Sequence, residues 1–162
     1  MAQPSFTTSF TPTYHQDPYP YISPSLPTLS QADKTILITG GSSGLGLSIA
    51  KTFCRASASN VILLSRSSTK LASASKTLTT SLSEVEPGKR TKTEIHTYTC
   101  DVSDHARVTE SFRDIAEKAG KIDILFSCAA NSLRPIPVSN VKTESLKETF
   151  DVIVLSAVNL LN

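Results

Sequence analysis

From Lys34 onward, the apolar residues fall into two alternating patterns. Thr35-Ile36-Leu37-Ile38-Thr39 and Val61-Ile62-Leu63-Leu64 are short continuous runs. That length and β-branched content predict strands of a parallel sheet, buried on both faces. Between them, Leu45 to Arg55 spaces Leu45, Ile49, Ala50 and Phe53 as a helix does. Good helix formers fill Ser68 to Leu82, and the Pro87-Gly88 pair then breaks the pattern. Ile95 to Cys100 alternates as a third strand. Ser103 or Asp104 is placed to cap a helix that runs to Ala119, with Gly120 as its stop. Ile122 to Phe126 reads as a fourth strand and Glu144 to Leu161 as a fourth helix. The apolar positions of this last helix (Val152, Ile153, Val154, Leu155, Ala157, Val158, Leu160 and Leu161) spread around its circumference, which predicts burial on most sides. Strand and helix alternate four times, so the class is α/β with a parallel sheet.

The first 32 residues are different. Six of the nine prolines (Pro4, Pro12, Pro18, Pro20, Pro24 and Pro27) precede residue 30, and they exclude regular helix. Aromatics are interleaved with them, at Phe6, Phe10, Tyr14, Tyr19 and Tyr21. Two readings stand: a disordered tail, or a strap lying along a domain that occupies 33–162. No Lys or Arg occurs before Lys34, so neither a secretory n-region nor an Arg-rich transit face is expected.

Composition narrows the function classes. In 162 residues, 16 Lys+Arg against 14 Asp+Glu leave a formal charge of +2, with no basic run. Electrostatics therefore makes no case for nucleic acid or an anionic membrane surface. The apolar run Val152 to Leu161 is too short to span a bilayer, so no membrane partner is expected. Cys54, Cys100 and Cys128 are odd in number and widely spaced, with neither pairing nor zinc spacing, which predicts a reducing, cytoplasmic setting. His15, His96 and His105 show no ligand spacing either, so no metal site is expected.

The chemistry concentrates in Thr39-Gly40-Gly41-Ser42-Ser43-Gly44-Leu45-Gly46, which follows a strand and opens a helix. Glycine there permits a tight turn and close approach to a pyrophosphate. The helix N-terminus then offers unpaired N–H groups and a positive dipole end. Ser42 and Ser43 add hydroxyl donors.

This Thr-Gly-x-x-x-Gly-x-Gly spacing resembles the short-chain dehydrogenase/reductase family, and three later features agree in order over residues 34 to 162. Strand two ends in Ser65-Arg66 and strand three in Cys100-Asp101-Val102. Strand four ends in Ser127-Cys128-Ala129-Ala130, at the place of the family's Asn-Asn-Ala-Gly. The front segment is similar to the arm of some fungal relatives that serve secondary metabolism. The resemblance implies a Rossmann-like, doubly wound parallel sheet of which this chain carries the 3-2-1-4 part, ending after the fourth βα unit. It implies that Gly40, Ser42, Ser43, Gly44, Leu45 and Gly46 bind a dinucleotide together with Arg66, Asp101 and Val102. In the family, an Asp at the place of Asp101 meets the adenine amino group.

An acidic residue ending strand two would grip the ribose hydroxyls of NAD. Here Ser65 is uncharged and Arg66 adjoins it, a guanidinium suited to the 2′-phosphate of NADP. The second basic anchor of many NADP-preferring relatives falls at Ser43, which carries no charge.

The family exchanges a proton with its substrate through a Tyr followed four residues later by Lys. Tyr14, Tyr19, Tyr21 and Tyr98 all lack that Lys, so no catalytic residue is assigned. The family's fourth-helix Asn falls at Ile153, and Ala130 stands where a Gly leaves room near the nicotinamide. The expectation is an NADP-dependent oxidoreductase of a small carbonyl or alcohol substrate, shortened, with a homodimer contact through the C-terminal helix. A non-catalytic dinucleotide-binding or interaction protein of the same descent is the other reading.

Overall fold

The computed structural model describes residues 19–83, 92–131 and 137–161. Four parallel strands lie in the order β3-β2-β1-β4. They are β1 (Thr35–Thr39), β2 (Asn60–Ser65), β3 (Glu94–Thr99) and β4 (Ile124–Ser127). β1 is the centre. It pairs Ile36 with Val61 of β2 on one side and with Ile124 of β4 on the other. All five β1 residues are buried, as a doubly covered strand requires.

The two-residue period of the strands divides the core between the two faces of the sheet. Ile36, Ile38, Val61 and Leu63 pack against α1 (Gly44–Arg55) and α2 (Ser68–Ser83). Leu37, Ile62 and Leu64 pack against α3 (His105–Ala119) and against Leu160, on the short α5 (Ser156–Leu161). Helices thus cover both faces, and the sheet is doubly wound. The chain runs outward through β2 and β3, then returns to the far side of β1 as β4. That reversal between β1 and β4 is the switch point at which such sheets bind ligands, outside the carboxyl ends of the strands.

Local signals explain most boundaries. Asp104, not Ser103, caps α3, its carboxylate accepting from the Arg107 N–H at 3.1 Å. Gly120 stops the helix at φ 74°. α1 buries Gly46, Ala50 and Cys54, whereas Leu45 is 70% exposed and belongs to no core. β4 begins at Ile124 instead of Ile122. Asp123 is already engaged there, accepting from the Thr35 N–H at 2.9 Å and facing Lys34 at 3.5 Å.

The last helix departs most from its expected form. α4 (Thr143–Phe150) passes through a π-helical turn at Asp151–Leu155 into α5. Only one stripe is buried, comprising Val152, Ser156, Asn159 and Leu160. Ile153, Val154, Leu155, Val158 and Leu161 remain exposed, contrary to the burial that their all-round distribution predicts, and Phe150 is exposed beside them. The helix meets α3 along one side, and among the described residues no strand lies beyond β4 to cover the rest.

Of the Pro-rich stretch, residues 19–33 are described. Pro20 and Pro27 each open a single 3-10 turn. The backbone is then tied to the loop after α1, with Gln31 N–H donating to Ala56 O at 2.7 Å and Asp33 N–H to Ser59 Oγ at 2.9 Å. Tyr21 is 89% exposed, so backbone bonds rather than that ring hold this part down. Pro4, Pro12, Pro18, the aromatics before Tyr19 and the Pro87-Gly88 breaker lie outside the described residues.

Candidate functional site

At the carboxyl end of β1, the chain turns sharply into α1. Gly40 has φ +65°, and a Cβ there would stand 2.8 Å from the Cys128 carbonyl oxygen. Gly46 is more constrained still, because its Cβ would fall 2.5 Å from the Gly40 carbonyl oxygen. These two residues must be glycine for β1, the turn, α1 and the end of β4 to come together. Ser43 is extended and its side chain makes no cap bond, so the first N–H groups of α1 lack intrahelical or capping acceptors.

Above this turn lies an open cleft of about 520 Å³. All nine residues that the sequence nominated line it: Gly40, Ser42, Ser43, Gly44, Leu45 and Gly46 from the turn, with Arg66, Asp101 and Val102. Parallel pairing accounts for the convergence, since it carries the carboxyl ends of β1, β2, β3 and β4 to one side. Ser42 and Ser65 share a hydroxyl bond of 2.9 Å that ties the turn to β2.

The wall at the end of β3 is charged. Asp101 Oδ1 accepts from the Ser103 N–H at 3.0 Å and from its hydroxyl at 2.7 Å. Its other oxygen, Oδ2, lies 4.0 Å from Arg66 Nη1. Partial burial pushes the Asp101 carboxyl up, but the two Ser103 bonds and the Arg66 charge outweigh it and hold the group below its ordinary range.

Three contributors were not identified from the sequence. Lys70, in the first turn of α2, lines the cleft on the same side as Arg66 and Ser67, so a second cation does reach the site although Ser43 carries none. Its position four residues after Arg66, one helical turn into α2, was the available signal. Thr39, fully buried, accepts from the N–H groups of Cys128 and Ala129, each at 3.1 Å, and its own proton faces Phe126 O at 3.5 Å. This hydroxyl braces the end of β4. Asn159 is the buried amide of the last helix and donates to Val102 O at 3.0 Å, whereas Ile153 is half exposed. An Asn seven residues after Val152 on an otherwise apolar stripe was the signal for it.

The β4 wall is small and apolar, made by Cys128, Ala129 and Ala130. Burial raises the thiols of Cys100 and Cys128 above their ordinary value, which leaves them protonated and poor nucleophiles at neutral pH. Among the described residues, no group of three His, Cys, Asp or Glu is placed to hold a metal ion. What the arrangement suits is an extended, phosphate-bearing ligand: a cradle without Cβ atoms, unpaired N–H groups at its floor, and two cations at one end.

Comparison with known proteins agrees with this geometry. The family model for short chain dehydrogenase matches residues 34–162. The short chain dehydrogenase/reductase AacuD of Aspergillus aculeatus is 34% identical over 150 residues, covering 93% of this chain and 48% of that protein. A crystal structure of a short chain dehydrogenase from Bacillus anthracis superposes with a TM-score of 0.66 at 27% identity, covering 79% of this chain and 48% of the other. L-sorbose reductase from Gluconobacter frateurii, solved with NADPH and L-sorbose, shares the fold at a TM-score of 0.67 and 23% identity, over 81% of this chain and 46% of that one. The chain spans about half the length of the curated relatives it matches.

Proposed function

Because the chain belongs to the short chain dehydrogenase family, we propose that its cleft binds NADP(H). The bound nicotinamide would supply hydride for reduction of a carbonyl, or accept it from an alcohol. The observation that carries this reading is the meeting of the glycine turn with Arg66 and Lys70 in one cleft. The N–H groups at the start of α1 would receive the pyrophosphate, and Asp101 the adenine amino group. Arg66 and Lys70 would hold the 2′-phosphate. Val102 and Leu45 would flank the ligand with apolar surface.

No Tyr in the chain has Lys at the fourth place after it, so proton exchange with substrate is assigned to none of these residues. A non-catalytic nucleotide-binding role is the second reading, favoured by Ser127, Cys128 and Ala130 at the places of the Asn-Asn-Ala-Gly pattern. Fungal short chain dehydrogenase/reductases are among the relatives, and the first reading extends to a small carbonyl or alcohol substrate in secondary metabolism. Three free cysteines support a cytoplasmic location, and among the described residues no helix is long and apolar enough to cross a membrane. The exposed apolar side of α4 and α5 supports a homodimer contact. In this reading, residues 1–32 form the arm and 33–162 the nucleotide domain.

Calorimetric titration of the full chain with NADPH, and in parallel with NADH, tests the proposal. NADPH is expected to bind saturably, and Arg66→Ala to weaken it roughly tenfold with little change for NADH. Absence of NADPH binding by the folded chain would overturn it, as would equal losses for both nucleotides.

A further inference from the structure

The geometry points to Asp101 as the residue that sets how strongly this cleft prefers a 2′-phosphorylated adenosine, by acting as a fixed anionic competitor for Arg66. The inference rests on the nucleotide reading above and goes beyond an adenine contact for Asp101.

The two partners of the Arg66–Asp101 pair are held very differently. Asp101 is clamped through Oδ1 by both donors of Ser103, at 3.0 and 2.7 Å. Ser103 is free to do this because Asp104 takes over the cap of α3. The carboxylate therefore cannot swing away, and Oδ2 stays turned toward Arg66. Arg66 has a long side chain, 64% exposed, and approaches only to 4.0 Å. It is the mobile member of a weak, solvent-screened pair.

A phosphate on the ribose 2′-oxygen must win this guanidinium from the carboxylate. It must also sit beside a negative charge that cannot retreat. A 2′-hydroxyl meets neither obstacle, because it carries no charge and can donate to a carboxylate. Asp101 thus weakens binding of the phosphorylated nucleotide relative to the other, while its adenine contact serves both alike. Lys70 lines the same cleft and keeps the local balance cationic, so the preference is reduced without being reversed. Both oxygens of one carboxylate have roles here: Oδ1 fixes the group, and Oδ2 tunes selectivity.

The test titrates adenosine 2′,5′-bisphosphate and AMP, two ligands that differ only by the 2′-phosphate, into the full chain and into Asp101→Asn. Asn keeps the oxygen that Ser103 clamps and removes the charge facing Arg66; any loss at adenine falls on both ligands alike and cancels in their ratio. The ratio of bisphosphate to AMP affinity is expected to rise roughly threefold in Asp101→Asn, the scale of an exposed ion pair. In an Arg66→Ala background the same substitution should raise the ratio less, because competition for the guanidinium is gone and only repulsion is left. An unchanged ratio in Asp101→Asn, or a loss shared equally by both ligands, overturns the inference and leaves the cofactor reading standing. If the folded wild-type chain binds neither ligand, the cofactor reading falls first, and this inference with it.

Discussion

The two edges of the sheet are built from different materials. β3 presents Glu94, Thr97 and Thr99 exposed, with Ile95, His96 and Tyr98 half-buried. Its polar groups are engaged: Glu94 faces Lys92 and His96, and His96 shares a 3.3 Å contact with Asn60. Charge and polarity of this kind guard an outer strand against further pairing. β4 presents Ile124, Leu125 and Phe126, all half-buried, and then Ser127. It has the residues of an interior strand and, among the described residues, lies at an edge. The cleft straddles this difference. Its charged wall (Arg66, Lys70, Asp101) stands at the β2 and β3 ends, while the β4 end offers small apolar side chains held by one buried hydroxyl, Thr39. Recognition chemistry is thus concentrated on the side of the sheet whose edge is already guarded.

The largest test of this contrast is mechanical. Leu63 on β2 is fully buried between β1, β3 and the helices, so Leu63→Ala should cost about 3 kcal/mol. Leu125→Ala, on the half-buried β4, should cost about 1 kcal/mol. Urea unfolding measures both, and equal losses would mean that β4 is packed as tightly as the centre.

A second test asks what the unguarded side does in solution. Val154 and Val158 are exposed on the part of the last helix that α3 does not cover. If this face makes the homodimer proposed above, Val154→Lys with Val158→Lys should weaken self-association about tenfold, read by sedimentation. Thr97→Lys on the β3 edge serves as the control and should leave it unchanged. Loss of association in the control alone would reverse the assignment of the two edges.

Legibility in the sequence follows the same division. β1, β2 and the glycine turn are evident from the residues alone because their signals are local: a continuous apolar run, then turn chemistry, then helical spacing. The nine nominated residues meet in one cleft because parallel pairing brings every strand's carboxyl end to the same side. What escaped is non-local. Thr39 matters through the N–H groups of Cys128 and Ala129, about 90 residues away. Asn159 matters through Val102 O, and Lys70 through the proximity of α2 to the end of β3. The last helix misled for a related reason. Its apolar residues record what a surface could contact, and a π-helical turn at Asp151–Leu155 then decides which of them face α3.

A smaller effect separates the interior from the guarded edge by pH. Burial pushes the Cys54 thiol on α1 up from 9.0 to about 11. Tyr98 on β3 rises from 10.0 to about 12, chiefly through burial and then through its hydrogen bond to Asp114 and that residue's charge. Both groups are neutral below these values, and in the unfolded chain both ionise at lower pH. Each therefore contributes stability that is intact below its unfolded pKa and is lost as the pH climbs through the folded one. Unfolding free energy should begin to fall above about pH 9 and continue falling toward pH 12. Cys54→Ala should flatten the lower part of that decline, and Tyr98→Phe the upper part. Cys54 is enclosed by the β1 and β2 core, so its share should be the larger. Tyr98 is half-buried at the edge, where solvent screens the developing charge, and its share should be the smaller. A larger flattening from Tyr98→Phe than from Cys54→Ala would show the β3 edge to be drier than its burial pattern implies, and the contrast between edge and interior would then have to be redrawn.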